Sequence, residues 1–152
     1  ENSEIKDFSV TLNADYKLLD VQVVKNNFSK KFKNSRSLYY IKRLRRIKNN
    51  EIYLISRAYI PIEIIGENVN KNIFKDKNLL NILINKFKIK ISKSEQEVSA
   101  ISLSNNDADL FKTTHGHPAI SNIWYMYDIS NKLVLIDQEI TVKPLKVENH
   151  YQ

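Results

Sequence analysis

Two arginines, Arg43 and Arg45, stand two residues apart in a segment whose side chains alternate as they do in a β-strand. Every second side chain of a strand points to the same face, so both guanidiniums share a face with Tyr39, Ile41 and Ile47. Arginine presents a planar fork of donors that matches a carboxylate or a phosphate. The spacing therefore indicates either a pocket for a small anion or an exposed pair in surface ion pairs, and surface ion pairs are the commoner case.

Two further strands carry polar candidates. Ser56 is the only polar residue on an otherwise aliphatic face, so its hydroxyl binds a ligand or, as the pattern favours, a neighbour in the sheet. In the last predicted strand, the face with Asp137 and Glu139 changes from apolar to acidic along its length. Such a face marks the mouth of a pocket or a strand end that becomes solvated.

Enzyme signatures are missing from the sequence. The only glycines, Gly66 and Gly116, are isolated, so there is no glycine-rich phosphate loop, and cysteine is absent. The histidines, His115, His117 and His150, do not have the spacing of a zinc site. We therefore expect no catalytic residue, no bound metal and no cofactor.

Composition and charge limit the class of protein. Of the 152 residues, 42% are hydrophobic and 27% charged, values typical of a globular domain. No apolar run reaches the roughly 20 residues that span a bilayer, and we expect no membrane partner. The lack of cysteine fits a cytoplasmic protein, although a secreted chain could share it. The net charge of +7 comes mostly from dispersed lysines, so we do not expect this chain alone to bind DNA.

The hydrophobic periodicity predicts an α+β fold on an antiparallel sheet with flanking helices. The predicted strands cover residues 16–25, 38–47, 53–61, 89–101, 119–127 and 132–142. The predicted helices cover residues 27–32, 76–88 and 105–112. In the helix over 76–88, the apolar stripe is predicted to be Leu80, Leu83, Ile84 and Phe87.

Five segments, taken in order, resemble the UTRA domain, the effector-binding domain of GntR/HutC-type bacterial transcription regulators. They are the aromatic and R-x-R strand at 38–45, the strand at 54–61 that ends in Tyr-Ile-Pro, the helix and strand at 79–91, the short helix and turn at 109–120, and the closing hairpin at 124–139. The resemblance covers roughly residues 16–147. It implies a chorismate-lyase-like fold that encloses a ligand pocket.

The resemblance also implies which residues bind the ligand. Arg43 and Arg45 match the family's R-x-R positions, which commonly hold the anionic part of the effector. Glu139 matches an acidic position that accepts from ligand hydroxyls, and Tyr59 stands in the strand that ends in Tyr-Ile-Pro. Ser56 departs from the pattern, because many members carry glutamate there, and this leaves the identity of the effector open. A phosphosugar-like anion is the class of effector that the resemblance suggests.

The resemblance further implies partners. We expect residues 1–15 to be a connector or edge segment and residues 16–152 to be a single effector-binding domain. We expect this domain to form a homodimer and to act on DNA through a winged helix-turn-helix domain that is absent from this chain. We therefore expect the chain to be a fragment of a larger repressor, with a stand-alone sensor as the alternative. Two alternatives stay open, namely a chorismate-lyase-like enzyme and an interaction domain without a ligand.

Overall fold

The computed structural model describes residues 15–28, 31–47, 51–75, 78–143 and 150–151. Most of these residues form six strands: β1 (Asp15–Lys25), β2 (Ser37–Arg46), β3 (Ile52–Pro61), β4 (Ile91–Ser102), β5 (Pro118–Asp128) and β6 (Leu133–Thr141). The described helices are short: α1 (Ile62–Ile65), a 3-10 helix (Lys71–Phe74), α2 (Leu79–Asn85) and α3 (Asn105–Phe111).

The six strands form one antiparallel sheet in the order β1-β2-β3-β6-β5-β4. Two three-stranded meanders therefore meet along the β3–β6 seam. Alternation of side chains gives the sheet two faces. We call the one that carries Arg43, Ser56 and Glu139 the arginine face, and the one that carries Tyr40 and Tyr59 the tyrosine face. The predicted α+β fold class is confirmed.

The helical segments that follow β3 cover part of the arginine face. The largest hydrophobic cluster joins Ile41 and Ala58 of the sheet to Phe74, Leu79 and Leu83 of the helical segments. Burial of this apolar surface is the main force that holds the helices on the sheet. The Phe74 carbonyl also accepts a hydrogen bond from Arg43 of β2, so this core lies against the polar side chains of the arginine face.

Different elements cover the tyrosine face. The hydroxyl of Ser104 caps α3 by accepting from the backbone N–H of Asp107 at 3.2 Å. The carboxylate of Asp107 accepts two hydrogen bonds from Arg57 of β3, at 2.9 and 2.5 Å. Nearby, Phe28 and Phe32 of the segment between β1 and β2 pack against this face. A bidentate ion pair thus attaches α3 to the tyrosine face, and aromatic packing attaches the segment between β1 and β2.

The two predicted hairpins are present, and their strand bounds differ from the predicted ones by one residue. Each predicted strand has a counterpart, because alternation and the polar residues between strands were clear in the sequence. The predicted tip of the first hairpin, residues 48–51, and the predicted connector, residues 1–15, lie almost wholly outside the described residues.

The helix predictions need three corrections. In the segment predicted as a helix over 27–32, the described residues, 27–28 and 31–32, are not helical, and the Phe32 N–H donates to the Phe28 carbonyl at 3.1 Å. Helix α1 and the 3-10 helix had not been predicted, because four-residue helices are too short to show a period. Helix α2 is shorter than predicted and begins after Asn78, whose side chain accepts from the Leu80 N–H.

The buried stripe of α2 also differs from the predicted one. The helix buries Leu79, Ile82 and Leu83, whereas Ile84 is exposed. Five of the seven residues of α2 are aliphatic, so more than one stripe fits the sequence. The position of the sheet decided which stripe is buried, and tertiary contacts override local pattern in this way.

None of the helices in the described part of the chain is long and apolar enough to cross a membrane.

Alanine substitutions in α2 test this orientation. Leu83 is 0% exposed and Ile84 is 39% exposed. Leu83→Ala leaves a cavity in the core and should lower the free energy of unfolding by about 2–5 kcal/mol. Ile84→Ala, the matched control, should lower it by less than about 1 kcal/mol. Urea unfolding followed by circular dichroism measures both, and equal losses would show that the helix is rotated from the orientation described.

Candidate functional site

The strand register brings most of the predicted site residues together. Arg43 pairs with Ser56, and Ser56 pairs with Glu139, so the three form one row across β2, β3 and β6. Arg45 lies on the same face, one row away. Neighbouring strands are about 4.8 Å apart, so the backbone positions of Arg43 and Glu139 are separated by roughly 10 Å. Four of the five predicted ligand-binding residues therefore share the arginine face.

Both arginines lie against one tyrosine ring. The guanidinium carbon of Arg43 is 4.0 Å from the ring centroid of Tyr16, and that of Arg45 is 5.0 Å from the same centroid. Arg43 is only 2% exposed, and its Nη1 donates to the Phe74 carbonyl at 3.2 Å. Arg45 is partly exposed. An aromatic face attracts a guanidinium, so the Tyr16 ring helps to hold two like charges close together.

Carboxylates balance the arginines on the same face. Asp137 lies on β6, one row from Glu139, and accepts a hydrogen bond from the Ser56 hydroxyl at 2.6 Å. Burial raises the pKa of Asp137 above its usual range, whereas the Ser56 hydrogen bond and the charge of Arg43 act in the opposite direction. Two cations and two carboxylates thus occupy neighbouring positions on β2 and β6, with Ser56 between them.

The pKa values of Tyr16 and Arg43 depend on burial and on the neighbouring charges of this cluster. Burial raises the pKa of Tyr16, and the positive charges of Arg45 and Arg43 oppose that rise. Burial lowers the pKa of Arg43, because removal of a cation from water disfavours its charged form, and the charges of Asp137 and Glu139 oppose that fall. The cluster can therefore offer both a positive end and an acidic end to a bound molecule.

Tyr59 does not lie with the other four predicted site residues. It pairs with Tyr40 and Ile136, and its ring lies on the tyrosine face. There it packs against Phe28, with ring centroids 4.8 Å apart, and against Tyr40, with centroids 5.4 Å apart. The reason is strand alternation, because an odd-numbered residue of β3 points away from Ser56.

Sequence reasoning missed two members of the cluster. The predicted strand over residues 16–25 gives Tyr16 no role, and the sequence puts Asp137 on the acidic face of the last strand without assigning it to the site. The sequence contained a signal for Asp137, since residues 137 and 139 share a face of one strand. Tyr16 had no such signal, because its contact with Arg45 depends on the register between β1 and β2.

The described residues contain no group of three or more His, Cys, Asp or Glu side chains arranged to hold a metal ion. His115 pairs instead with Asp109, with 2.9 Å between Nε2 and Oδ1, at the surface beside α3. The candidate site consists of the arginine, serine, tyrosine and carboxylate side chains of the arginine face.

Comparison with known proteins gives a family and a set of similar structures. A family model described as the UTRA domain matches residues 14–142. Among curated proteins, no sequence matches this chain. Forty-one chains among the solved structures match, and three of them show how close the similarity is.

The ligand-binding domain of a Bordetella bronchiseptica protein assigned to the GntR family of transcriptional regulators superposes with a TM-score of 0.77 at 12% identity, covering 91% of both chains. A GntR-family transcriptional regulator from Enterococcus faecalis gives a TM-score of 0.75 at 16% identity, over 88% of this chain and 99% of that one. YydK, a possible transcriptional regulator from Bacillus subtilis, gives 0.76 at 15% identity, over 91% of this chain but 63% of that one. At these identities the likeness establishes the fold.

The pH dependence of stability tests the environment of Asp137. A carboxyl whose pKa in the folded protein lies above its usual value of 3.8 binds its proton more tightly when folded. Its contribution to stability is therefore largest at low pH and declines as the pH rises above about 4. Asp137→Asn still has an oxygen that can accept from Ser56, but it has no carboxyl to titrate, so this decline should be absent. The free energy of unfolding of the variant should therefore increase relative to that of the wild type as the pH rises.

Urea unfolding between pH 4 and pH 8 measures this difference. Glu67→Gln, at an exposed position after α1, controls for the loss of one negative charge. Parallel stability profiles for the wild type and Asp137→Asn would mean that the carboxyl of Asp137 is not destabilised by burial.

Proposed function

The chain belongs to the UTRA domain family, and from this membership we propose that it is the effector-binding domain of a GntR-type bacterial transcription regulator. The site that would sense the effector is the polar cluster of the arginine face. The observation that carries the proposal is the row Arg43, Ser56 and Glu139, together with Arg45 and Asp137 beside it. The similar folds of the ligand-binding domain from Bordetella bronchiseptica and of the Enterococcus faecalis regulator support this reading.

The arrangement of charges favours an effector with one anionic end and one hydroxylated end. Arginine binds phosphate through its fork of donors, and carboxylates accept hydrogen bonds from hydroxyl groups. The roughly 10 Å between the β2 and β6 positions suits a molecule of the size of a sugar phosphate. We therefore propose a phosphosugar-like effector, with its phosphate near Arg45 and its hydroxyls near Asp137 and Glu139.

The two arginines would have different roles. Arg45 is partly exposed and is the one that we assign to direct contact with the anion. Arg43 is buried beneath the Tyr16 ring and donates to the Phe74 carbonyl, so it would raise the positive potential behind Arg45. A buried charge acts through a lower effective dielectric than an exposed one, and its field is correspondingly stronger.

Regulation would follow from a shift in population. If the effector binds one arrangement of the regulator better than another, its binding favours that arrangement. The second site in this coupling is a winged helix-turn-helix domain outside this chain, through which the regulator would repress transcription. We also propose that the site binds without turnover, because the similar proteins are described as regulators. Formation of 4-hydroxybenzoate from chorismate by the purified chain would contradict this part of the proposal.

Arginine substitutions test the effector site. In thermal-shift titrations with glucose 6-phosphate, fructose 6-phosphate and inorganic phosphate, a ligand at 100 times its Kd stabilises the folded chain by about 2.7 kcal/mol. Arg45→Gln should raise the Kd by roughly 10- to 100-fold, because a charged hydrogen bond contributes about 1.5–3 kcal/mol. Arg46→Gln removes a neighbouring arginine that pairs with Asp15 at the surface and should leave the Kd unchanged.

Two results would count against the effector site as proposed. If a sugar phosphate binds wild type and Arg45→Gln equally well, the ligand lies elsewhere. If neither sugar phosphate stabilises the chain, the phosphosugar class is wrong, and amino acids would be the next class to test.

We further propose that two copies of the chain associate through the β4 edge of the sheet. β4 is an outer strand, and nine consecutive residues, 92–100, are exposed. An edge strand presents backbone N–H and C=O groups that another strand can pair with. Val98 is 62% exposed, and association would remove this apolar side chain from water. Pairing of β4 with its copy would extend the antiparallel sheet across the dimer.

A matched pair of valines tests this interface. Val98 lies on β4 and Val23 on β1, the opposite edge of the sheet, and both are exposed. Val98→Glu should shift the chain from dimer to monomer in sedimentation velocity, because two carboxylates would approach each other in a desolvated interface. Val23→Glu should leave the dimer intact. If Val23→Glu is monomeric and Val98→Glu remains dimeric, the interface lies at β1 instead of β4. If the wild-type chain is monomeric even at high concentration, dimerisation through this domain is contradicted.

A further inference from the structure

A cavity of about 490 Å³ opens on the tyrosine face, on the opposite side of the sheet from the proposed effector site. Small-molecule sites commonly have volumes of about 300–1,000 Å³. The residues that line the cavity come from β1, β2, β3 and the segment that follows β1: Gln22, Val24, Lys25, Asn27, Phe28, Tyr40, Arg57 and Tyr59. The arginine face contributes none of them.

Aromatic rings form the walls of this cavity. Gln22 pairs with Tyr40, and Tyr40 pairs with Tyr59, so the three form one row across β1, β2 and β3. The rings of Tyr40 and Tyr59 are 5.4 Å apart between centroids. The ring of Phe28 meets Tyr59 edge to face, with 4.8 Å between centroids and an interplanar angle of 68°. Such walls suit a flat ring, which can stack or pack edge to face against them.

The wall that carries Phe28 is held in place before any ligand arrives. The Phe28 N–H donates to the side-chain oxygen of Asn26 at 2.9 Å. The amide nitrogen of Asn26 in turn donates to the carbonyls of Phe32, at 2.9 Å, and Ser35, at 2.7 Å. A site whose walls are already ordered loses less conformational entropy when it binds.

The charges around the cavity favour an anion. Two of the eight lining residues, Lys25 and Arg57, are cationic, and none of the eight is acidic. Asp107 occupies the guanidinium fork of Arg57 through its two hydrogen bonds. Lys25 is exposed at the rim, and it is therefore the cation best placed to pair with a ligand.

We propose that this cavity is a second ligand site, which takes a planar aromatic carboxylate. The ring would lie in the cavity against the lining sides of Phe28, Tyr40 and Tyr59, and the carboxylate would pair with Lys25 at the rim. The side-chain amide of Asn27 would add a hydrogen bond. Tyr59 would then bind a ligand on the tyrosine face. The sequence instead predicts it as part of one site with Arg43 and Arg45. This inference does not depend on the effector site, because no residue is shared between the two.

Nuclear magnetic resonance can locate this site on the whole chain. Naphthalene-2-carboxylate serves as the probe, and its fully saturated analogue, decahydronaphthalene-2-carboxylate, serves as a control of equal charge and similar size. The aromatic acid should shift the backbone amide signals of residues 22–28, 40 and 57–59 in a saturable way. The saturated acid should bind up to about tenfold more weakly, because it has no aromatic face to stack.

Substitutions then assign the roles of the lining residues. Tyr59→Leu should raise the Kd for naphthalene-2-carboxylate by about tenfold. Lys25→Gln changes an exposed residue and keeps the fold, and it should raise the Kd by about threefold, as expected for one exposed ion pair. Lys17→Gln, at another exposed lysine of β1 that does not line the cavity, should leave the Kd unchanged.

Three outcomes would overturn the proposal: no saturable shift at millimolar probe, equal affinity for the saturated acid, or shifts confined to the arginine face. Equal weakening by Lys25→Gln and Lys17→Gln would also overturn it, because binding would then reflect general charge. Failure here leaves the sugar-phosphate titrations unaffected, since those report on Arg45 and on the opposite face of the sheet.

Discussion

A buried guanidinium governs the arginine face. Transfer of a charge out of water costs several kcal/mol unless other groups compensate it, and Arg43 is only 2% exposed. Its compensation comes from separate elements: the Tyr16 ring on β1, the Phe74 carbonyl after β3, and the charges of β6. The sheet must therefore hold β1, β2, β3 and β6 in one register for this charge to be stable. The same register creates a polar cluster with a positive and an acidic end.

Alternation along β3 sends the side chains of two consecutive residues, Ser56 and Arg57, to opposite faces of the sheet. Ser56 faces the arginine cluster and binds Asp137, whereas Arg57 faces the other way and binds Asp107 of α3. A register slip of one residue would exchange these faces and bury the wrong charge on each side. The strand thus connects the proposed effector site with α3 and with the cavity beside Tyr59. A change in backbone position at Ser56 would also displace the backbone of Arg57, the next residue in the chain.

Prediction from sequence succeeded where a pattern repeats and failed where it does not. The hairpins β2–β3 and β5–β6 had clear alternation and polar residues between their strands, and the structure contains both. Phe28 and Phe32, four residues apart, fit the spacing of a helix, but the described residues of that segment are not helical, because one hydrogen bond between them does not require a helix. In α2, Leu83 was assigned correctly to the core and Ile84 was not, because its many aliphatic residues left the buried side undefined.

The sequence by itself determined the α+β class, the order of the strands along the chain and the shared face of Arg43 and Arg45, because each depends on local periodicity alone. Tertiary structure decided which strands are neighbours and which residues meet across them. Tyr16 joined the arginines through the β1–β2 register, and Asp137 met Ser56 through the β3–β6 seam. Tyr59 was assigned to the opposite face. The physical reason is that contacts between distant segments depend on strand pairing and burial, which no short stretch of sequence contains.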